Sequence, residues 1–110
     1  MIIVCQKPLE KLKINGITLF PFIFIRYYED KENKVLINHE KIHLRQQQEL
    51  LVVFFYLWYV AEYYYWYFKT KDAFRAYRQI SFEKEAYAME HDMDYLSQRK
   101  FWGFWKFIGQ

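Results

Sequence analysis

The segment KVLINHEKIHLRQQQELLVVFFYLWYVAEYYYWYF, from Lys34 to Phe68, contains neither glycine nor proline and reads as helix along its length, straight or bent. Inside it stands His39-Glu40-Lys41-Ile42-His43. Residues four apart share one face of an α-helix, so His39 and His43 can offer two imidazole nitrogens to one metal ion. Glu40 then lies beside the remaining coordination position, where a carboxylate can take a proton from coordinated water. Two such histidines bind zinc for catalysis only if a third protein ligand joins them. Without it, His39 and His43 are ordinary helix-surface residues and Glu40-Lys41 is part of a solvated face.

The second half of the segment is unusual in another way. Leu50 to Phe68 carries a single charge, Glu62. Nineteen residues of helix measure about 28 Å, close to the thickness of a bilayer core. Its tyrosines and tryptophans suit a membrane interface better than the acyl interior. A buried core helix would have a similar composition, but a domain of 110 residues has few partners to cover so many large rings. Self-association would cover them too.

Composition predicts one small domain, mainly α with a small N-terminal β element. Hydrophobic residues make up 54% and aromatic residues 24%, with 26% charged and a mean hydropathy of −0.30. The net charge of +3 is spread along the chain, which excludes nucleic acid as an expected partner and assists contact with an anionic membrane surface. The lone Cys5 excludes an internal disulfide and a cysteine-rich metal site. The first residues lack the pattern of a signal peptide.

On either side of the long segment the expected elements are short. Ile17 to Ile25 (ITLFPFIFI) is β-branched and aromatic and predicts a strand, which Pro21 restricts to an edge or bulged position. Asn15-Gly16 predicts a turn before it. Asp72 is a candidate N-cap for a helix through Gln79, and Ser81 for another over 81–96. The tail over 99–108 mixes basic and aromatic residues, as interfacial segments do, although docking onto the core would also account for it.

The third ligand is sought on the 81–96 helix. Phe82-Glu83-Lys84-Glu85-Ala86-Tyr87 offers two acids, and because they stand two apart on a helix only one can face the metal. His91 is a rival, two turns beyond Glu83. Gln47, four after His43, is a candidate to brace a ligand by a hydrogen bond. The pair of motifs, His39-Glu40-Lys41-Ile42-His43-Leu44-Arg45-Gln46-Gln47 and then Phe82 to Tyr87, resembles the Glu-ligand zincins, the gluzincin-like metallopeptidases. It is most like short bacterial proteins patterned H-E-x-I-H-x-R-Q-Q and F-E-x-E-A-Y. That resemblance implies Zn2+ held by His39, His43 and Glu83, with Glu40 as the catalytic base and Glu85 as an alternative ligand. Where relatives with E-x-x-A-D carry an aspartate this chain has Tyr87, whose hydroxyl could donate a hydrogen bond to a reacting carbonyl oxygen.

Geometry constrains this reading. An unbroken helix from His43 to Phe68 ends about 37 Å from the metal, and the fifteen residues leading back to Glu83 cover about 22 Å if helical or about 50 Å if extended. A Glu83 ligand therefore requires a bend in the long helix or an extended return. A symmetric hairpin would turn near Tyr63, where no glycine or proline helps. The expected function is a small zinc-dependent metallohydrolase, a peptidase associated with a membrane, on a bacterial inner membrane or in the cytoplasm. Its partners would be a peptide or protein substrate and a membrane surface or membrane protein. The alternatives are a non-catalytic membrane-associated protein with a structural or vestigial metal site, and a metal-free helical module that binds through its aromatic face.

Overall fold

A computed structural model describes residues 1–109 and bears out a mainly helical chain with a small sheet at its N-terminus. The sheet has three strands, β1 (Ile2–Val4), β2 (Gly16–Leu19) and β3 (Phe22–Ile25), in the order β1-β3-β2. β1 runs parallel to β3, with helix α1 (Gln6–Leu12) in the connection, and β2 runs antiparallel to β3. The single strand expected over 17–25 is thus a hairpin. Phe20 and Pro21, joined by a cis peptide, form its turn, since proline has no N–H to give to a ladder. β2 lies at the edge and β3 in the middle, where Ile23 and Ile25 pack on Ile37.

The expected 34–68 helix is two helices, α2 (Lys34–Leu50) and α3 (Val52–Thr70). Asn33 caps the first, its side chain accepting from the Leu36 N–H at 3.1 Å. Leu51 separates them with φ 65° and ψ 152°, a backbone conformation that costs a non-glycine residue about 1–3 kcal/mol. Packing on the far side of the bend offsets that strain. The Tyr56 hydroxyl donates to the Thr18 carbonyl at 2.6 Å, and the Tyr59 hydroxyl donates to Glu83 Oε2 at 2.7 Å.

Two shorter helices complete the return. Asp72 caps α4 (Ala73–Gln79), accepting from the N–H groups of Phe74 and Arg75. Helix α5 (Ser81–Met89) stops well before Leu96, and α6 (Tyr95–Gln98) is separate. Ile80, not Ser81, is the N-cap of α5. The Ser81 N–H and hydroxyl both donate to Glu62 of α3. Asn38 explains the early end of α5, because its Nδ2 donates to the carbonyls of Glu90 at 2.9 Å and Asp92 at 3.1 Å, satisfying groups a helix end leaves unpaired.

The main core joins Leu50, Phe55, Ile80, Phe82 and Phe104. Fully burying one phenylalanine contributes about 1.5–3 kcal/mol. Phe104 sits in a 3-10 turn (Gly103–Phe107), so the 99–108 tail docks onto the core through that ring while Phe101 and Trp105 stay exposed. Among the described residues, no helix is long and apolar enough to cross a membrane.

Candidate metal centre

Helix α2 turns a polar face inward. Asn38, His39, Glu40, His43, Gln46 and Gln47 are all buried, and each has hydrogen-bond partners there. Burying so many polar groups is costly unless they are paired and used.

His39, His43 and Glu83 meet at one point. The two Nε2 atoms lie 3.2 Å apart, and Glu83 Oε1 is 3.1 Å from each. A tetrahedral ion with bonds of about 2.0–2.1 Å holds its donors about 3.3 Å apart, so the triangle has the size a metal ion requires. The outer nitrogens determine what points inward. His39 Nδ1 lies 2.8 Å from Glu90 Oε1, and His43 Nδ1 lies 2.7 Å from Gln46 Oε1. The Gln46 amide is oriented by its own Nε2, which donates to the Phe82 carbonyl at 3.1 Å and to Glu85 Oε1 at 2.9 Å. Both histidines therefore donate outward from Nδ1, and when neutral each aims an Nε2 lone pair at the carboxylate oxygen. With both imidazoles neutral, three acceptors converge, and the cation between them is either a proton on His43 or a metal ion, which this buried group could hold.

Electrostatics agree. Burial opposes charge on His43, but the Glu83 and Glu40 carboxylates outweigh it and raise its pKa to about 9. Burial would raise Glu83, yet His43 and His39 hold it well below the usual carboxylate range. Burial pushes the Tyr59 hydroxyl up strongly, so it stays protonated as a donor to Glu83. Glu40 is raised by burial, against the opposing pull of His43, His39 and the Thr18 hydroxyl, which donates to its Oε1 at 2.8 Å. Its Oε2 faces Gly16, where a Cβ would come within 3.2 Å. Glycine at 16 leaves room for that carboxylate.

These groups line a cleft of about 830 Å³ whose other walls include Thr18, Tyr56, Tyr77 and Tyr87. Tyr87 packs its ring against His39, with centroids 4.5 Å apart, and shares a 2.7 Å hydrogen bond with Tyr77. That pair holds two hydroxyl protons and uses one between its members, so one remains to offer.

The remaining expected residues lie elsewhere. Glu85 does not face the histidines. It is buried with Arg99, Gln46 and Tyr95, because two residues of helix turn it to the other side of α5. His91 is 76% exposed and pairs with Glu90 Oε2 at 3.5 Å, since α5 has ended before it. Gln47 braces no ligand. Its Oε1 accepts from the Phe20 N–H at 2.7 Å and its Nε2 donates to the Thr18 carbonyl at 2.8 Å, fastening the hairpin to α2. Gln46, one residue earlier, supports His43 instead. Glu90, Tyr59 and Arg99 also serve the centre without having been singled out in the sequence. Comparison with protein-family models, curated proteins and solved structures finds no match.

A pH test follows for protein stripped of metal. Because the folded pKa of His43 is raised from 6.5 to about 9, its proton contributes stability that is complete below pH 6.5 and lost as the pH rises through about 9. Thermal melting across that window is expected to fall for the metal-free protein. The stabilisation given by added metal is expected to grow over the same range, because metal and proton compete for one lone pair.

Proposed function

We propose that this protein is a zinc-dependent hydrolase that cleaves peptide bonds. The observation that carries the reading is the triangle of His39 Nε2, His43 Nε2 and Glu83 Oε1 on the wall of a cleft shared with Glu40. His39, His43 and Glu83 would hold the zinc, which supplies Lewis acidity and makes a coordinated water easier to deprotonate. Glu40, which lines the same cleft, would accept a proton from water and pass it to the leaving amine. The Tyr77–Tyr87 pair has a hydroxyl proton to offer a developing negative charge on the substrate oxygen. The resemblance to Glu-ligand zincins points the same way.

Strand β2 favours a peptide as the substrate. Arg26 N–H donates to the Asn15 carbonyl at 2.8 Å, which fixes the alternation of the hairpin, so Gly16 and Thr18 turn their backbone groups away from β3. Gln47 and Tyr56 occupy the Thr18 carbonyl. The N–H and carbonyl of Gly16 and the N–H of Thr18 have no partner among the described residues and border the cleft. An extended peptide can add as a further strand there, held by its backbone rather than by its sequence.

A structural site would instead have its fourth position closed by a protein group. Glu85 and His91, the candidates for that, are held elsewhere. The test uses protein purified without a histidine tag and a mixture of quenched-fluorescent peptides. We expect about one zinc per chain, and hydrolysis that a chelator abolishes and added zinc restores. Zinc without hydrolysis supports the non-catalytic alternative, and no zinc after zinc is offered overturns both.

A further inference from the structure

Helix α3 buries Phe55 and directs Tyr59 towards the metal centre, but among the described residues its opposite face has no partner. Val53, Phe54, Leu57, Val60, Tyr64 and Phe68 recur there at helical spacing, each between 48 and 68% exposed. From Val53 to Phe68 this stripe runs about 23 Å along α3. Trp105, 58% exposed, extends it, its ring 6.0 Å from that of Trp58, and Phe101 is 74% exposed beside Trp102. A continuous apolar face of this size on a small domain marks an interaction surface.

The basic groups near the aromatic borders are lysines. Lys69 Nζ lies 4.8 Å from the Tyr65 ring, Lys71 Nζ 5.6 Å from the Phe68 ring and Lys106 Nζ 5.4 Å from the Phe107 ring. The neighbouring acids are engaged: Glu62 with Ser81, Glu49 with Arg99, and Asp72 as the cap of α4. The face is therefore an apolar strip with aromatic borders and a basic rim.

We propose that this face docks on an anionic phospholipid surface, with α3 lying in the plane of the interface. The apolar side chains enter the acyl boundary, the tyrosine and tryptophan rings sit at headgroup depth, and the lysines meet the phosphates. A second copy fits less well. In a twofold pairing of the stripes the lysines would gain no unengaged acid, because Glu62, Glu49 and Asp72 already have partners. The inference is independent of the hydrolase reading and stands if that reading fails.

The experiment is co-sedimentation of the full chain with vesicles of phosphatidylglycerol mixed with phosphatidylcholine, against phosphatidylcholine alone. The three lysines predict at least about tenfold stronger partitioning onto the anionic vesicles, weakening as salt is raised. The same loss, about tenfold or more, is expected from Phe54→Glu with Leu57→Glu, and separately from Lys69→Gln, Lys71→Gln and Lys106→Gln combined. Thermal melting reports whether these variants fold. Acyl chains carrying bromine provide a measurement on the unaltered protein, in which the tryptophan fluorescence is expected to be quenched. Equal, weak binding to both vesicle types, or unquenched fluorescence, overturns the proposal. A dimer in sedimentation velocity that Phe54→Glu with Leu57→Glu abolishes, without vesicle binding, overturns it in favour of a second copy.

Discussion

Glutamine in place of Glu40 is expected to leave one metal equivalent bound and to lower peptide hydrolysis by about 10²–10⁴-fold. The side chain is not among the three converging donors, so the metal should be indifferent to it. Glutamine has nearly the same shape. Its carbonyl oxygen can keep the hydrogen bond from the Thr18 hydroxyl, and Gly16 still leaves room for the second terminal atom. What it loses is the capacity to accept a proton. Metal analysis and kcat/KM on the same preparation separate the two roles. Retained metal with unchanged kcat/KM would remove Glu40 from the chemistry, and lost metal would make it a ligand or a prop for one.

The parts of this centre that were legible in the sequence are those whose geometry is local. His39, Glu40 and His43 lie within two turns of one helix, and helical spacing alone puts the imidazoles side by side. Glu83 was legible only through its motif, because nothing in the spacing between α2 and α5 identifies which of two nearby acids returns to the histidines. The need for a bend was also legible, since a straight helix could not bring Glu83 back. Its position was not. Leu50 and Leu51 are identical side chains, one buried at 8% exposure and the other 65% exposed, and the backbone turns between them without glycine or proline. That choice belongs to the contacts of Tyr56 and Tyr59 with distant segments. The three consecutive glutamines pose the same problem at smaller scale. Gln46 and Gln47 both lie on the helix face near His43, and only the positions of Phe82, Glu85 and Thr18 decide which supports the ligand. Pro21 was recognised as incompatible with a central ladder, but whether it bulges a strand or turns a hairpin depends on the register between 16–19 and 22–25.

Replacing Arg99 by methionine is expected to destabilise the fold by about 3–5 kcal/mol, the cost of leaving buried charge without its partner. The Arg99 side chain is inaccessible to solvent. Its Nε and Nη2 donate to the two oxygens of Glu85, and Nη1 donates to Glu49 Oε2 at 2.6 Å. Glu85 also accepts from Tyr95 and from Gln46 Nε2, and Gln46 in turn accepts the His43 proton. One guanidinium thus bridges two carboxylates and sets, through Glu85 and Gln46, the ring nitrogen that His43 turns inward. Methionine fills similar space without charge, and denaturant unfolding then measures mainly the uncompensated Glu85 and Glu49. Lysine keeps the charge but cannot span both acids with a planar fork, so its loss is expected to be smaller yet still measurable. The informative variant combines Arg99→Met with Glu85→Leu and Glu49→Leu. Apolar replacement of a whole buried ionic group can recover stability. Metal affinity is not expected to recover with it, because Gln46 loses one of the two acceptors that hold its amide, and with it the fixed tautomer of His43. Stability and metal affinity returning together would mean that this network supports the fold alone, and that His43 is oriented by its own packing.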